Sequence, residues 1–154
     1  YPTVMPYLVL LPSLLCGAAV SYTDIRERRV PRRWIALGYA TQFLALLLWC
    51  VSSNQLFTLM LAVVISLAAA VLQLLLGLIK PGSLGFGDVT ITLVMGLAVG
   101  AVGWTAVLYW WIAMGVIGLA AIGINARMRG RHDVPFAPVI VASSVLGVLL
   151  ASFA

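Results

Sequence analysis

Every negative charge on this chain comes from four side chains: Asp24, Glu27, Asp88 and Asp133. Asp24 opens the stretch Asp24–Ile25–Arg26–Glu27–Arg28–Arg29–Val30–Pro31, and Asp88 closes Gly85–Phe86–Gly87–Asp88. Two carboxylates held close together do not both ionise readily. One keeps its proton, and the pair can then deprotonate a water while donating to a carbonyl. A low dielectric strengthens that coupling, and such a pair titrates as a unit. Glycines flanking a carboxylate leave the backbone bare, so an extended peptide can approach it closely. Each aspartate also has a plain structural reading. Asp88 before an apolar helix could serve as its N-cap, and Asp24 could be a solvated charge beside Arg26, Arg28, Arg29, Arg32 and Arg33.

Other chemistries find less support. The single histidine, His132, lies in a basic stretch with no serine or cysteine that can be placed beside it, so a nucleophile–base arrangement is not expected. Asp24 with Glu27, or His132 with Asp133, could in principle hold a metal. Carboxylates among eight arginines more often pair with guanidinium groups, and neither metal nor cofactor is expected. Cys16 and Cys50 form no CxxC and read as small packing residues. Tyr22, Trp34, Trp110 and Trp111 read as interface anchors or lipid-facing residues.

The elements that must position the aspartates follow from composition. Of 154 residues, 64% are hydrophobic and 8% charged, and the mean hydropathy is +1.15. A soluble chain this short leaves about a third of its unfolded-chain surface exposed, too much for this composition to present to water. The chain reads as one all-α integral membrane domain over residues 1–154. Apolar runs at 4–23, 34–50, 56–79, 104–124 and 136–154 approach the roughly 20 residues needed to cross a bilayer. A shorter run, 89–101, ends at the glycine-rich stretch 100–103 and is expected as a sixth helix of about 20 Å. Six helices send Lys80 and all eight arginines to one face, as the positive-inside rule requires; five would scatter them. Both termini are then extracytoplasmic, and all four acids fall on the inner side. The net charge of +5 is thereby explained by orientation, and no nucleic-acid partner is expected. Gly96, Gly100, Gly115, Gly118 and Ala121 suit close helix packing in lipid, and Pro12 is expected to bend the first helix. The start at Tyr1 rather than Met is read as trimming.

In these motifs the sequence resembles the type IV prepilin peptidases, membrane aspartic proteases of the G-x-G-D class. Their D-x-R-x-x-x-[IV]-P motif is matched by Asp24, Arg26, Val30 and Pro31, and G-x-G-D by Gly85, Gly87 and Asp88. A late P-F-x-P motif appears as Pro135, Phe136 and Pro138 around Ala137. The resemblance covers essentially the whole chain. It implies catalytic roles for Asp24 and Asp88, with the other motif residues supporting the site or substrate. It also implies a prokaryotic cytoplasmic membrane, a cytoplasm-facing site, and pilin-like precursors as partners that lose a short basic leader. Thr90 departs from the lysine often found two residues after the second aspartate. The cysteine-bearing region linked to N-methylation in larger members has no counterpart here. The chain therefore resembles the peptidase-only members of tight-adherence pilus systems, and methylation is not expected. The oligomeric state is not legible.

Two readings of other classes compete. A proton-coupled carrier would place its carboxylates near the bilayer midplane and favour an inverted repeat, and neither is visible. A non-catalytic assembly subunit would tolerate Asp-to-Asn changes at both positions.

Overall fold

A computed structural model describes residues 7–27, 31–79, 86–129 and 136–153, and over them all regular structure is helical. A 3-10 turn, Tyr7–Leu10, leads into α1 (Leu11–Glu27). There follow α2 (Arg32–Ser52), α3 (Leu56–Ile79), α4 (Phe86–Val102), α5 (Trp104–Arg129) and α6 (Ala137–Phe153). Three stretches, Arg32–Ser52, Leu56–Ile79 and Trp104–Arg127, are long and apolar enough to cross a membrane. Gly87–Val102 and Ala137–Phe153 are shorter apolar helices. Outward-facing side chains such as Phe57, Leu78, Ile79, Leu119 and Phe153 are largely exposed, which only a lipid solvent accommodates at this density.

Contacts between named residues fix the helix directions. Ser13 meets Gln42 and Cys16 meets Trp34, so α1 and α2 are antiparallel. Gly100 lies against Ala62 and Gly96 against Ser66, so α3 and α4 are antiparallel. Gly147 lies against Trp110, and Gly118 against Phe136, so α5 and α6 are antiparallel. The tight links at Ser53–Gln55 and Gly103 reverse the chain at one end of the bundle. Gly103 does so with φ +135°, a conformation that glycine adopts without strain.

α4 is the central helix. From Gly87 to Val102 none of its residues is exposed, and Ile91, Val94, Leu97 and Val99 are essentially inaccessible. Lipid tails are as apolar as leucine, so the hydrophobic effect gives little reason for helices to associate in a bilayer. Close dispersion contact must do so instead. Gly96 and Gly100 supply it: a Cβ on either would stand 3.0–3.1 Å from an α3 Cα. Gly118 is likewise filled by the Phe136 ring, whereas a Cβ on Gly115 would meet nothing within 4 Å, so that glycine makes no close packing contact.

Several expectations are corrected. α4 has 17 residues rather than 13, which gives about 25 Å at 1.5 Å per residue. Asp88 is therefore inside its first turn, not the residue before it. Gly100 belongs to the helix, and the turn is made by Gly103 alone. Pro12 is the second residue of α1, a position where the missing N–H costs nothing, and it marks the change from 3-10 to α geometry. Buried Gln42 fixes this entry by accepting from Ser13 N at 3.0 Å and donating to Val9 O at 2.8 Å. Trp110 is not a lipid anchor. It is fully buried, and its Nε1 donates to Ile140 O across the α5–α6 contact.

Candidate active site

Asp24 occupies the last turn of α1 and is only 8% exposed. A lone carboxylate at that burial is costly, and here it has a partner: the backbone N–H of Ala137 donates to Asp24 Oδ2 at 3.1 Å. Ala137 is the first residue of α6, so the carboxylate receives one of the N–H groups that a helix start leaves unpaired. The late motif acts around this bond. Phe136 rests its ring over Gly118 of α5, its carbonyl accepts from Ile140 N at 3.0 Å, and Pro138 occupies a first-turn position that tolerates proline.

Asp88 lies half-buried in the first turn of α4. Its backbone carbonyl accepts from Thr92 Oγ1 at 2.7 Å, while Thr90 Oγ1 donates to Gly87 O at 2.8 Å.

The packing of α1 on α4 relates the two aspartates. A Cβ on Gly17 would stand 3.2 Å from Met95 Sδ, so these residues mark where the helices touch. Asp24 is seven residues on from Gly17, and Asp88 is seven residues before Met95. Seven residues are nearly two turns, which returns each helix to the same face about 10 Å further along. α1 runs antiparallel to α6 (Gly17 meets Val141, Asp24 meets Ala137), and α6 and α4 point the same way. The two steps therefore lead to the same end of the bundle, so Asp24 and Asp88 lie at the same end, on helices that pack together. The charged residues Arg26, Glu27, Arg32, Arg33 and Arg127 also belong to that end.

The remaining motif residues divide. Arg26 is exposed, its guanidinium 5.6 Å from the Tyr22 ring centroid, directed away from Asp24's buried face. Pro31 precedes α2 in extended geometry and accepts from Ile35 N at 3.3 Å, so it starts that helix. Gly87 is the second residue of α4. Gly85, Pro135, Lys80, His132 and Asp133 lie outside the described residues.

With this geometry the motifs take a common address. The type IV leader peptidase family matches residues 9–152, nearly the full chain.

The chain belongs to the type IV leader peptidase family.

No curated protein and no solved structure matches it. Membership makes this an integral membrane protein of a peptidase family, of the aspartic type. For a leader peptidase one apolar cavity, of about 230 Å³, is misplaced. Leu10, Ser13, Val99, Ser144 and Val148 line it at the far end from the aspartates, and it contains no titratable group. A more relevant feature is the open groove between α2 and α4, lined by Arg32, Ile35, Tyr39, Thr90 and Leu93, which begins within one turn of Asp88.

Sequence reading passed over two side chains at this end: Ser21, three residues before Asp24, and Gln73 of α3. The only signal for Gln73 was a lone amide in a helix whose other polar residues are the hydroxyls Thr58 and Ser66.

Proposed function

We propose that this leader peptidase is an aspartic endopeptidase in which Asp24 and Asp88 share one proton. The ionised member takes a proton from water, and the protonated member donates to the scissile carbonyl. The substrate is a pilin-like precursor, which loses its short basic leader where its apolar helix leaves the membrane. One observation supports this reading: α1 packs against α4 antiparallel, so that both motif carboxylates lie at the charged end of the bundle.

The six helices would span the inner membrane with both termini outside, so that the charged end faces the cytoplasm. α4 falls about 5 Å short of a 30 Å hydrocarbon core, half the shortfall expected from 13 residues. As the central helix it is surrounded by protein and need not meet lipid at either end. Asp88 would then sit slightly below the lipid boundary, within reach of water. The precursor helix would lie in the α2–α4 groove, whose lining is apolar except at Arg32, Thr90 and the Tyr39 hydroxyl. The position of both aspartates at an end rather than midway along the bundle gives the carrier reading no support.

The test is co-expression with a pilin-like precursor from the same genome, with leader removal read by mobility shift and mass. Unprocessed precursor beside folded, membrane-inserted protein would refute the assignment.

A further inference from the structure

α3 and α4 climb past one another in step. A Cβ on Gly100 would stand 3.1 Å from Ala62 Cα, and one on Gly96 would stand 3.0 Å from Ser66 Cα. Ser66 Oγ also donates to Leu93 O at 2.6 Å. Four residues along α3 thus match four residues back along α4. Seven more from Ser66 reach Gln73, and seven back from Gly96 reach Val89, the neighbour of Asp88. Gln73 is therefore on the α4-facing stripe at the level of the first turn of α4, which carries Asp88.

Gln73 is 2% exposed, and its Oε1 has no hydrogen-bond partner among the described residues. The other such side-chain oxygen among the described residues is Ser21 Oγ, within a turn of Asp24. Elsewhere among the described residues the buried polar side chains are satisfied: Gln42 by Ser13 and Val9, and Ser66, Thr92, Ser143 and Ser144 by backbone carbonyls. Buried polar groups in native proteins are paired almost without exception, and an exception requires a reason. Among the described residues both exceptions fall at the end of the bundle that carries the two carboxylates.

We propose that Gln73 is a substrate-binding residue, its Oε1 accepting a main-chain N–H of the precursor. The proposal rests on the peptidase reading above. A helical peptide bond is shielded by its own hydrogen bonds, so the precursor must unwind locally before water can attack. Unwinding frees N–H groups at a depth where water is scarce, and each then needs an acceptor. An amide oxygen already stripped of partners supplies one. Being neutral, it does so without disturbing the proton shared by Asp24 and Asp88, as a third carboxylate would.

The experiment uses the purified full chain in lipid nanodiscs and a synthetic precursor peptide with a basic leader and the start of its apolar helix. Gln73→Met keeps side-chain length while removing the acceptor. It is expected to be at least as heat-stable as the wild type yet ten- to a hundredfold lower in kcat/KM. Precursors N-methylated singly across the cleavage site then form a double-mutant cycle. At one position the methyl group should slow the wild type about as much as Gln73→Met does, with no further loss when the two are combined. Wild-type kcat/KM in Gln73→Met, or strictly additive losses at every position, overturns the role of Gln73 alone. A wild type indifferent to N-methylation overturns it even if Gln73→Met fails to fold. A wild type that cleaves no precursor overturns this proposal together with the function it rests on.

Discussion

Asp24 Oδ2 lies 3.1 Å from the backbone N of Ala137, a residue 113 positions away. The bond ties the first motif to the last helix and holds one carboxylate oxygen in a fixed place, aimed at by the positive end of α6. It gives this side chain a structural use distinct from the chemical one proposed for it.

Asp24→Asn should separate them in experiment. The amide oxygen can still accept from Ala137, so thermal stability is expected to stay within about 1 kcal/mol of the wild type. An amide neither takes the proton nor carries the charge, so leader removal should fall by roughly 10²–10⁴-fold or more, as it should in Asp88→Asn. Glu27→Gln and Asp133→Asn should process normally. Near wild-type cleavage in either catalytic variant would exclude the aspartic mechanism.

Asp24→Leu should show the other half. It leaves Ala137 N–H without its acceptor in a buried site, a loss of roughly 1–3 kcal/mol. A thermal midpoint equal to that of Asp24→Asn would show that the bond contributes nothing to the fold.

Gly118 and Gly115 lie three residues apart on α5 but should respond oppositely. Alanine at Gly118 presses on Phe136 at 3.2 Å and shifts the start of α6, and with it the donor that orients Asp24. Several-fold slower leader removal is expected, and a larger loss with valine. Alanine at Gly115 meets open space and should be neutral, or stabilising by up to about 1 kcal/mol through helix propensity. Equal effects at the two positions would contradict the α5–α6 packing.

Gly100→Val should part α3 from α4, because the new side chain meets Ala62 Cα and Ile65 rather than a mobile tip. A destabilisation of roughly 1–3 kcal/mol is expected, with activity falling in parallel as Asp88 moves with α4. Unchanged stability in a denaturation series would show that the seam is looser than described.

Topology is tested in a background carrying Cys16→Ala and Cys50→Ala. Single cysteines at Ser53 and Thr105, both near the uncharged turns, should label from outside the cell. One at Gly130 should label only from the cytoplasm. Cytoplasmic labelling at Thr105 would mean that α4 enters and leaves by the same face.

The sequence by itself determined the class of the molecule and, through its motifs, the family. A chain with 8% charged residues has one solvent in which it can fold, and satisfying every backbone group in lipid leaves helices as the economical solution. The two aspartate motifs were legible because few residue types can do carboxylate chemistry beside a bare backbone, and the late motif only through the resemblance to the family. α3 was legible to the residue, bounded by polar residues at both ends. What tertiary structure decided is which apolar faces meet protein and which meet lipid. Both environments select the same residues, so no periodicity marked Trp110 as buried, Gly115 as open or α4 as central. The pairing of Asp24 with Ala137 and the level of Gln73 were equally hidden. Each depends on how far one helix is displaced along another, and that displacement is set by the contacts of Gly17, Gly96 and Gly100 across a seam that local sequence does not encode.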